Sequence, residues 1–150
     1  MSSNTLFSIV VDINAPPGHV WEIMSDVENW HLWTSSVRRV RRLDKGPLAV
    51  GSKMWIYQPK LPPALWRVKA LDDSYGFTGI TSGLGVSVTA HHFIQPAPGG
   101  SSVTLSIEFG GLFGLLAARL TSKLNNRYLQ LEAAGLKKKS EASYVSSHQG

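Results

Sequence analysis

Cysteine is absent from the chain. That excludes disulfides, thiolate catalysis, iron–sulfur ligation and finger-type zinc sites. Charge is sparse, at 17% of 150 residues, so the composition of a disordered chain is missing. Long hydrophobic runs are missing as well. The most apolar stretch, Phe109–Ala118, is too short to cross a bilayer and is broken by glycines. Met1–Leu6 is polar and carries no basic n-region, so no secretory signal is read there and a cytoplasmic location is expected. No paired-carboxylate, Ser-His-Asp, HExxH or phosphate-loop pattern occurs, and neither a metal nor a cofactor is expected.

What is present is an ordinary apolar content of 43% and a net charge of +5. Length and apolar content suit one domain, read as residues 1–139, followed by a Ser-rich polar tail over 140–150 that is expected to be disordered. Leu6–Ile13 alternates Phe7, Ile9, Val11 and Ile13 against Ser8, Val10 and Asp12, the signature of a half-buried strand. Ala15-Pro16-Pro17 stops it, and proline suits the first turn of a short helix over Gly18–Ser25. Asp26 is read as the N-cap of a second short helix, Val27–Trp33, its carboxylate taking the free N–H of Asn29.

Six further strands follow: Val37–Leu43, Lys53–Gln58, Leu65–Leu71, Tyr75–Ser82, Gly85–Gln95 and Ser102–Phe109. Gly-, Pro- and Asp-rich breaks of hairpin type separate them, which predicts an antiparallel meander. The final element has another period. Phe113, Leu116, Ala117, Leu120, Leu124, Tyr128, Leu131 and Ala134 fall at steps of three and four, one stripe on a long helix over Leu112–Leu136. Lys137-Lys138-Lys139 sits at its C-terminal end, where the helix dipole favours positive charge.

The segments Ile13-Asn14-Ala15-Pro16-Pro17-Gly18-His19-Val20-Trp21 and Ser25-Asp26-Val27-Glu28-Asn29-Trp30-His31-Leu32-Trp33 resemble the opening of the SRPBCC superfamily. This is the START-like, polyketide cyclase/dehydrase-like group that includes the birch-pollen allergen fold. Gly51-Ser52, Gln58-Pro59, Pro62–Val68, Val103–Leu105 and Arg127–Glu132 extend the resemblance over roughly Thr5–Lys139. It implies an α+β helix-grip fold. A curved antiparallel seven-stranded sheet would wrap a long C-terminal helix, with two short helices after strand 1. The resemblance also implies a cavity between sheet and helix, and function by what lines it.

Alternation selects the candidate lining. In the sixth strand Val88, Ala90 and His92 share the more apolar face, which sends His92 inward and His91 outward; a one-residue bulge would reverse this. His92 is then either a general base or ligand hydrogen-bonder, or a polar residue satisfied by its neighbours. Met54 and Ile56 share a face with Gln58, whose amide could meet a ligand, hold the His92 tautomer or simply bond the Pro59 turn. Trp66 alternates with Val68 and Ala70, a flat wall or a plain core element. Trp33, Phe77, Leu105, Ile107 and the helix residues Leu116, Leu120, Leu124 and Tyr128 complete the set.

Trp55 and Tyr57 face outward in that register, an exposed pair that could meet a protein partner. In the inverted register they line the cavity and Gln58 does not. Glu108 groups with Ser102, Thr104 and Ser106 on the solvent side, and Asp12 and Glu22 read as surface or capping residues. The cluster Arg38-Arg39-Val40-Arg41-Arg42 lacks interleaved aromatics along the strand, so nucleic acid is not expected as a partner. The expected partner is a small hydrophobic molecule, aromatic, polyketide or lipid-like, with no integral membrane association. The alternatives are a cyclase/dehydratase using His92 as acid/base, and an interaction protein using Trp55 and Tyr57.

Overall fold

The structure is a computed structural model and describes residues 5–148. Strand β1 spans Thr5–Ile13, with its odd-numbered residues turned to the interior and Leu6 and Val10 left exposed. Pro16 caps helix α1, Pro17–Ser25, from an extended conformation and Pro17 opens it. Its Val20, Trp21 and Met24 are buried. The next helix is a 3₁₀ helix over Val27–Leu32. Asp26 does not cap it with its carboxylate. The Asn29 N–H goes to the Asp26 carbonyl at 3.1 Å, and the Asp26 carboxylate accepts from the Asn29 side-chain amide at 2.7 Å. The tighter 3₁₀ winding brings the main-chain carbonyl within reach first.

Strands β2 (Arg39–Arg42), β3 (Lys53–Tyr57), β4 (Ala64–Asp72), β5 (Gly76–Gly83), β6 (Val86–Ala97) and β7 (Gly100–Gly110) follow. They form one antiparallel seven-stranded sheet in the order β1-β7-β6-β5-β4-β3-β2. It is a curved helix-grip sheet: the meander runs back from β2 to β7, and β1 closes onto β7. Register between β5, β6 and β7 is unbroken, which keeps Val88, Ala90, His92 and Ile94 on one face. The β4–β5 register shifts between Val68 and Ala70. This bulge at Lys69 interrupts the alternation expected for Trp66, Val68 and Ala70. Val68 is buried, Ala70 is exposed, and Leu71 packs on the core instead.

The closing helix departs most from expectation. It is two helices, α2 (Gly114–Leu120) and α3 (Ser122–His148), broken at Thr121. The Thr121 hydroxyl donates to the Ala117 carbonyl at 2.7 Å and accepts from the Asn125 amide at 2.9 Å. A β-branched residue bonding back four positions bends a helix. The bend resets the phase of the buried face. In α3 it runs through Asn125, Tyr128, Leu129, Ala133, Leu136 and Ser140. Leu116, Leu120 and Ala134 of the expected stripe are exposed.

Over residues 140–148 the expected disordered tail is instead helical, because α3 continues to His148; residues 149–150 of that tail lie outside the described residues. Ser140 is fully buried. The His19 Nε2 lies 2.8 Å from the Ser143 hydroxyl, and its ring lies 5.3 Å from that of Tyr144. Glu141 accepts the Asn14 N–H and the Lys137 ammonium, each at 2.8 Å. These contacts clamp the end of α3 onto the β1–α1 corner.

Candidate functional site

Between the sheet and α3 lies a cavity of about 240 Å³. Its floor is Met54 and Ile56 from β3, Trp66 and Val68 from β4 ahead of the bulge, Phe77 from β5, Val88, Ala90 and His92 from β6, and Leu105 and Ile107 from β7. Gly79 lies under the Trp66 indole, where a Cβ would make ordinary contact with the ring at 3.4 Å. The roof comes from α3 through Asn125, Tyr128, Leu129 and Glu132. One side is the Gln58–Pro62 segment, tied to the roof by the Tyr128 hydroxyl, which donates to the Pro59 carbonyl.

His92 is held in an aromatic box. Its ring stacks on Phe77 at 4.4 Å and 10°, and the Trp30 ring lies 5.4 Å away. Trp30 is fixed in turn by its indole N–H, which donates to the Met24 carbonyl at 2.9 Å. The box strips His92 of water and lowers its pKa to about 4; an interaction with the Phe77 main chain opposes that shift and His91 adds to it. The imidazole is therefore neutral, and its buried Nδ1 has no hydrogen-bond partner among the described residues. His91 takes the other face, with Nδ1 3.1 Å from the Thr78 hydroxyl and Nε2 3.5 Å from the Glu108 carboxylate.

Glu132 is the second titratable group in the wall. It keeps some accessible surface because it borders the cavity, but its carboxyl is removed from bulk water and its pKa is pushed up to about 8. The same burial raises the Tyr128 hydroxyl, with Arg38 pulling it down and Glu132 pushing it up. At neutral pH the cavity thus presents an uncharged imidazole and a protonated acid. Gln58 lines the cavity too, with its amide donating to the Ser36 carbonyl at 3.3 Å.

Four candidates from the sequence stand elsewhere. Trp33 packs on Trp30 at 6.0 Å and against Gly135, behind the wall rather than in it. Leu116 and Leu120 are exposed and Leu124 is half-buried outside the lining, because the Thr121 break turns their face away. Sequence reasoning missed Trp30, Asn125 and Glu132. The available signal was the polar pair Asn125 and Glu132, which bracket Tyr128 on one helix face at steps of three and four.

Trp55 and Tyr57 lie on the opposite face of β3 and are half-buried. There the sheet supplies the interleaving that the β2 sequence lacks. Tyr57 stands opposite Arg39 and Trp55 opposite Arg41, and the Arg39 guanidinium lies 5.9 Å from the Tyr57 ring centre. Both aromatics are partly covered by this pairing.

Several solved structures share the fold at low identity. The aromatase/cyclase ZhuI from Streptomyces sp. R1128 superposes with a TM-score of 0.76 at 12% identity, over 99% of each chain. TTHA0849 from Thermus thermophilus gives 0.71 at 16%, covering 94% of this chain and 99% of its own. Ara h 8.0201 gives 0.63 at 15%, covering 96% and 99%. No curated protein matches the chain in sequence. Residues 5–141 match the family described as polyketide cyclase / dehydrase and lipid transport. Spanning nearly the whole helix-grip architecture, that match means the chain belongs to this family.

Proposed function

We propose that the cavity binds a small, mainly apolar molecule whose polar end meets His92 and Glu132. The observation that carries this is an apolar chamber holding a neutral imidazole with an unpartnered nitrogen and an un-ionised carboxyl. Leaving such a buried group unsatisfied costs about 1–3 kcal/mol, which a ligand hydroxyl or carbonyl would recover. At about 240 Å³ the cavity is smaller than the roughly 300–1,000 Å³ of typical ligand pockets, so one or two rings fit better than a long-chain lipid.

A second reading is a cyclase/dehydratase, supported by Glu132. A carboxyl with a pKa of about 8 is a competent proton donor at neutral pH. His92 is the weaker half of such a pair, because a base with a pKa of about 4 removes a carbon-bound proton poorly. Binding is therefore the reading the geometry favours.

The test is tryptophan fluorescence titration with 2-naphthol, a two-ring probe with one hydroxyl. Trp30 and Trp66 line the cavity, so saturable quenching is expected. Ala90→Trp fills the chamber and should weaken binding by at least about tenfold, since the bulky side chain takes the ligand's volume. Equal titrations for both proteins would end the cavity-binding reading. For the enzyme, turnover of an aryl poly-ketone that disappears in Glu132→Gln while binding persists would displace the binder.

A further inference from the structure

Leu84, Leu112, Phe113, Leu115, Leu116 and Leu120 are all more than half exposed, Leu84 at 98% and Leu112 at 84%. They form one surface. The Phe113 N–H donates to the Gly85 carbonyl at 2.9 Å, and a Cβ on Gly85 would meet the Phe113 ring at 2.7 Å. The β5–β6 turn that carries Leu84 is thereby locked to the start of α2. Leu84 itself fits neither packing nor turn. It sits at φ 53° in the left-handed region, in a tight hairpin turn where asparagine or glycine is preferred. A leucine held there, fully in water, is unexplained by the fold.

From Leu112 to Arg127 the charged residues along the chain are all cations. Arg119, Lys123 and Arg127 are exposed beside it. Between Asp73 and Glu132 the chain has a single acidic residue, Glu108, and that one is paired with His91. A two-fold contact would bring this cation-bearing patch against its own copy, adding positive charge to positive charge. The patch also borders the cavity, since Phe109 before it and Thr121 after it both line the chamber. No helix among the described residues is long and apolar enough to cross a membrane, so the partner surface is met from outside.

We propose that the α2 segment with the Leu84 hairpin tip docks the protein onto a lipid bilayer bearing anionic headgroups. The leucines and Phe113 enter the acyl boundary and the three cations stay at headgroup level. This goes beyond the cavity reading and does not depend on it, because no cavity ligand enters the test.

The full chain is floated with vesicles of phosphatidylcholine, with and without phosphatidylglycerol. Binding to the anionic vesicles is expected, weakening as salt rises. Leu84→Asn suits the turn better than leucine, so it should melt no lower than the parent, yet bind at least about tenfold more weakly. Leu84→Asn with Leu112→Ser should bind more weakly still. Arg119→Gln with Lys123→Gln should abolish the preference for anionic vesicles. A parent protein that ignores both vesicles overturns the proposal, as does a Leu84→Asn variant that binds like the parent. A dimer in sedimentation velocity that dissolves in the leucine variants, without vesicle binding, overturns it in favour of self-association. Any of these leaves the 2-naphthol titration unaffected.

Discussion

Gly135→Ala is expected to destabilise the protein by about 3 kcal/mol or more and to lower its melting temperature by on the order of 10 °C. Helix propensity argues the other way, since alanine in a helix interior gains about 1 kcal/mol over glycine. The packing decides. A Cβ at Gly135 would lie 1.9 Å from the Trp33 carbonyl oxygen and 2.9 Å from its carbon. Those are backbone atoms at the end of the 3₁₀ helix, and the next helix residue, Leu136, is buried. Neither side can yield without shifting α3 off the Trp30–Trp33 pair that backs the cavity. Gly18→Ala is the control. It is the same change in helix α1, with nothing within 4 Å of the new Cβ, and it should raise the melting temperature. Thermal melts of both variants check the argument. A rise for both would mean that α3 does not cross so closely over Trp33.

That crossing also marks where sequence stops being informative. The strands are legible because period-two alternation holds on uninterrupted ladders. The inward set Val88, Ala90, His92 follows from it, since no bulge disturbs β6. On β4 the Lys69 bulge is a backbone event with no side-chain signature, so Ala70 turns outward against its pattern. The C-terminal helix misleads for a different reason. Its most hydrophobic stripe is not its buried face, because Leu116 and Leu120 meet solvent while Asn125, Glu132 and Ser140 face inward. A hydrophobic count rewards the first set and discards the second. What separates them is the Thr121 bend, and a threonine in a helix is too common to announce one. The docking of α3 from Lys137 onward is hidden likewise, since the contacts of Lys137, Glu141 and Ser143 with Asp12, Asn14 and His19 are long-range.

The candidate site carries two opposite electrostatic errors, and they belong together. His92 is held neutral where a histidine would ordinarily begin to charge, and Glu132 is held neutral where a glutamate would be ionised. One cause serves both, removal from bulk water in an apolar chamber lined by Trp30, Phe77, Tyr128 and Leu129. A site that keeps an acid and a base uncharged can hydrogen-bond a ligand carbonyl or hydroxyl from either end without burying charge. This suits recognition at least as well as proton transfer.

Glu132→Gln is expected to remove an alkaline loss of stability that the parent protein shows. In the unfolded chain the carboxyl releases its proton near 4.5, and in the folded chain near about 8. Between those values the folded state holds the extra proton, so stability falls as pH rises, and the contribution is gone above about 8. His92 acts in the opposite sense. Its folded value is about 4 against 6.5 unfolded, so the unfolded state holds the extra proton in that window and stability rises with pH up to 6.5. From 4.5 to 6.5 the two slopes cancel, and from 6.5 to about 8 only the Glu132 slope remains. At about 1.4 kcal/mol per pK unit, the parent should lose on the order of 2 kcal/mol over that last interval. The variant keeps the shape of the protonated acid and cannot ionise, so its curve should stay level there and lie above the parent's at the alkaline end. Urea unfolding at closely spaced pH values measures the difference directly. Parallel curves from pH 6.5 to 8 would mean that the carboxyl ionises against a cation such as Arg38, and the description of Glu132 as a dry, neutral acid would fall.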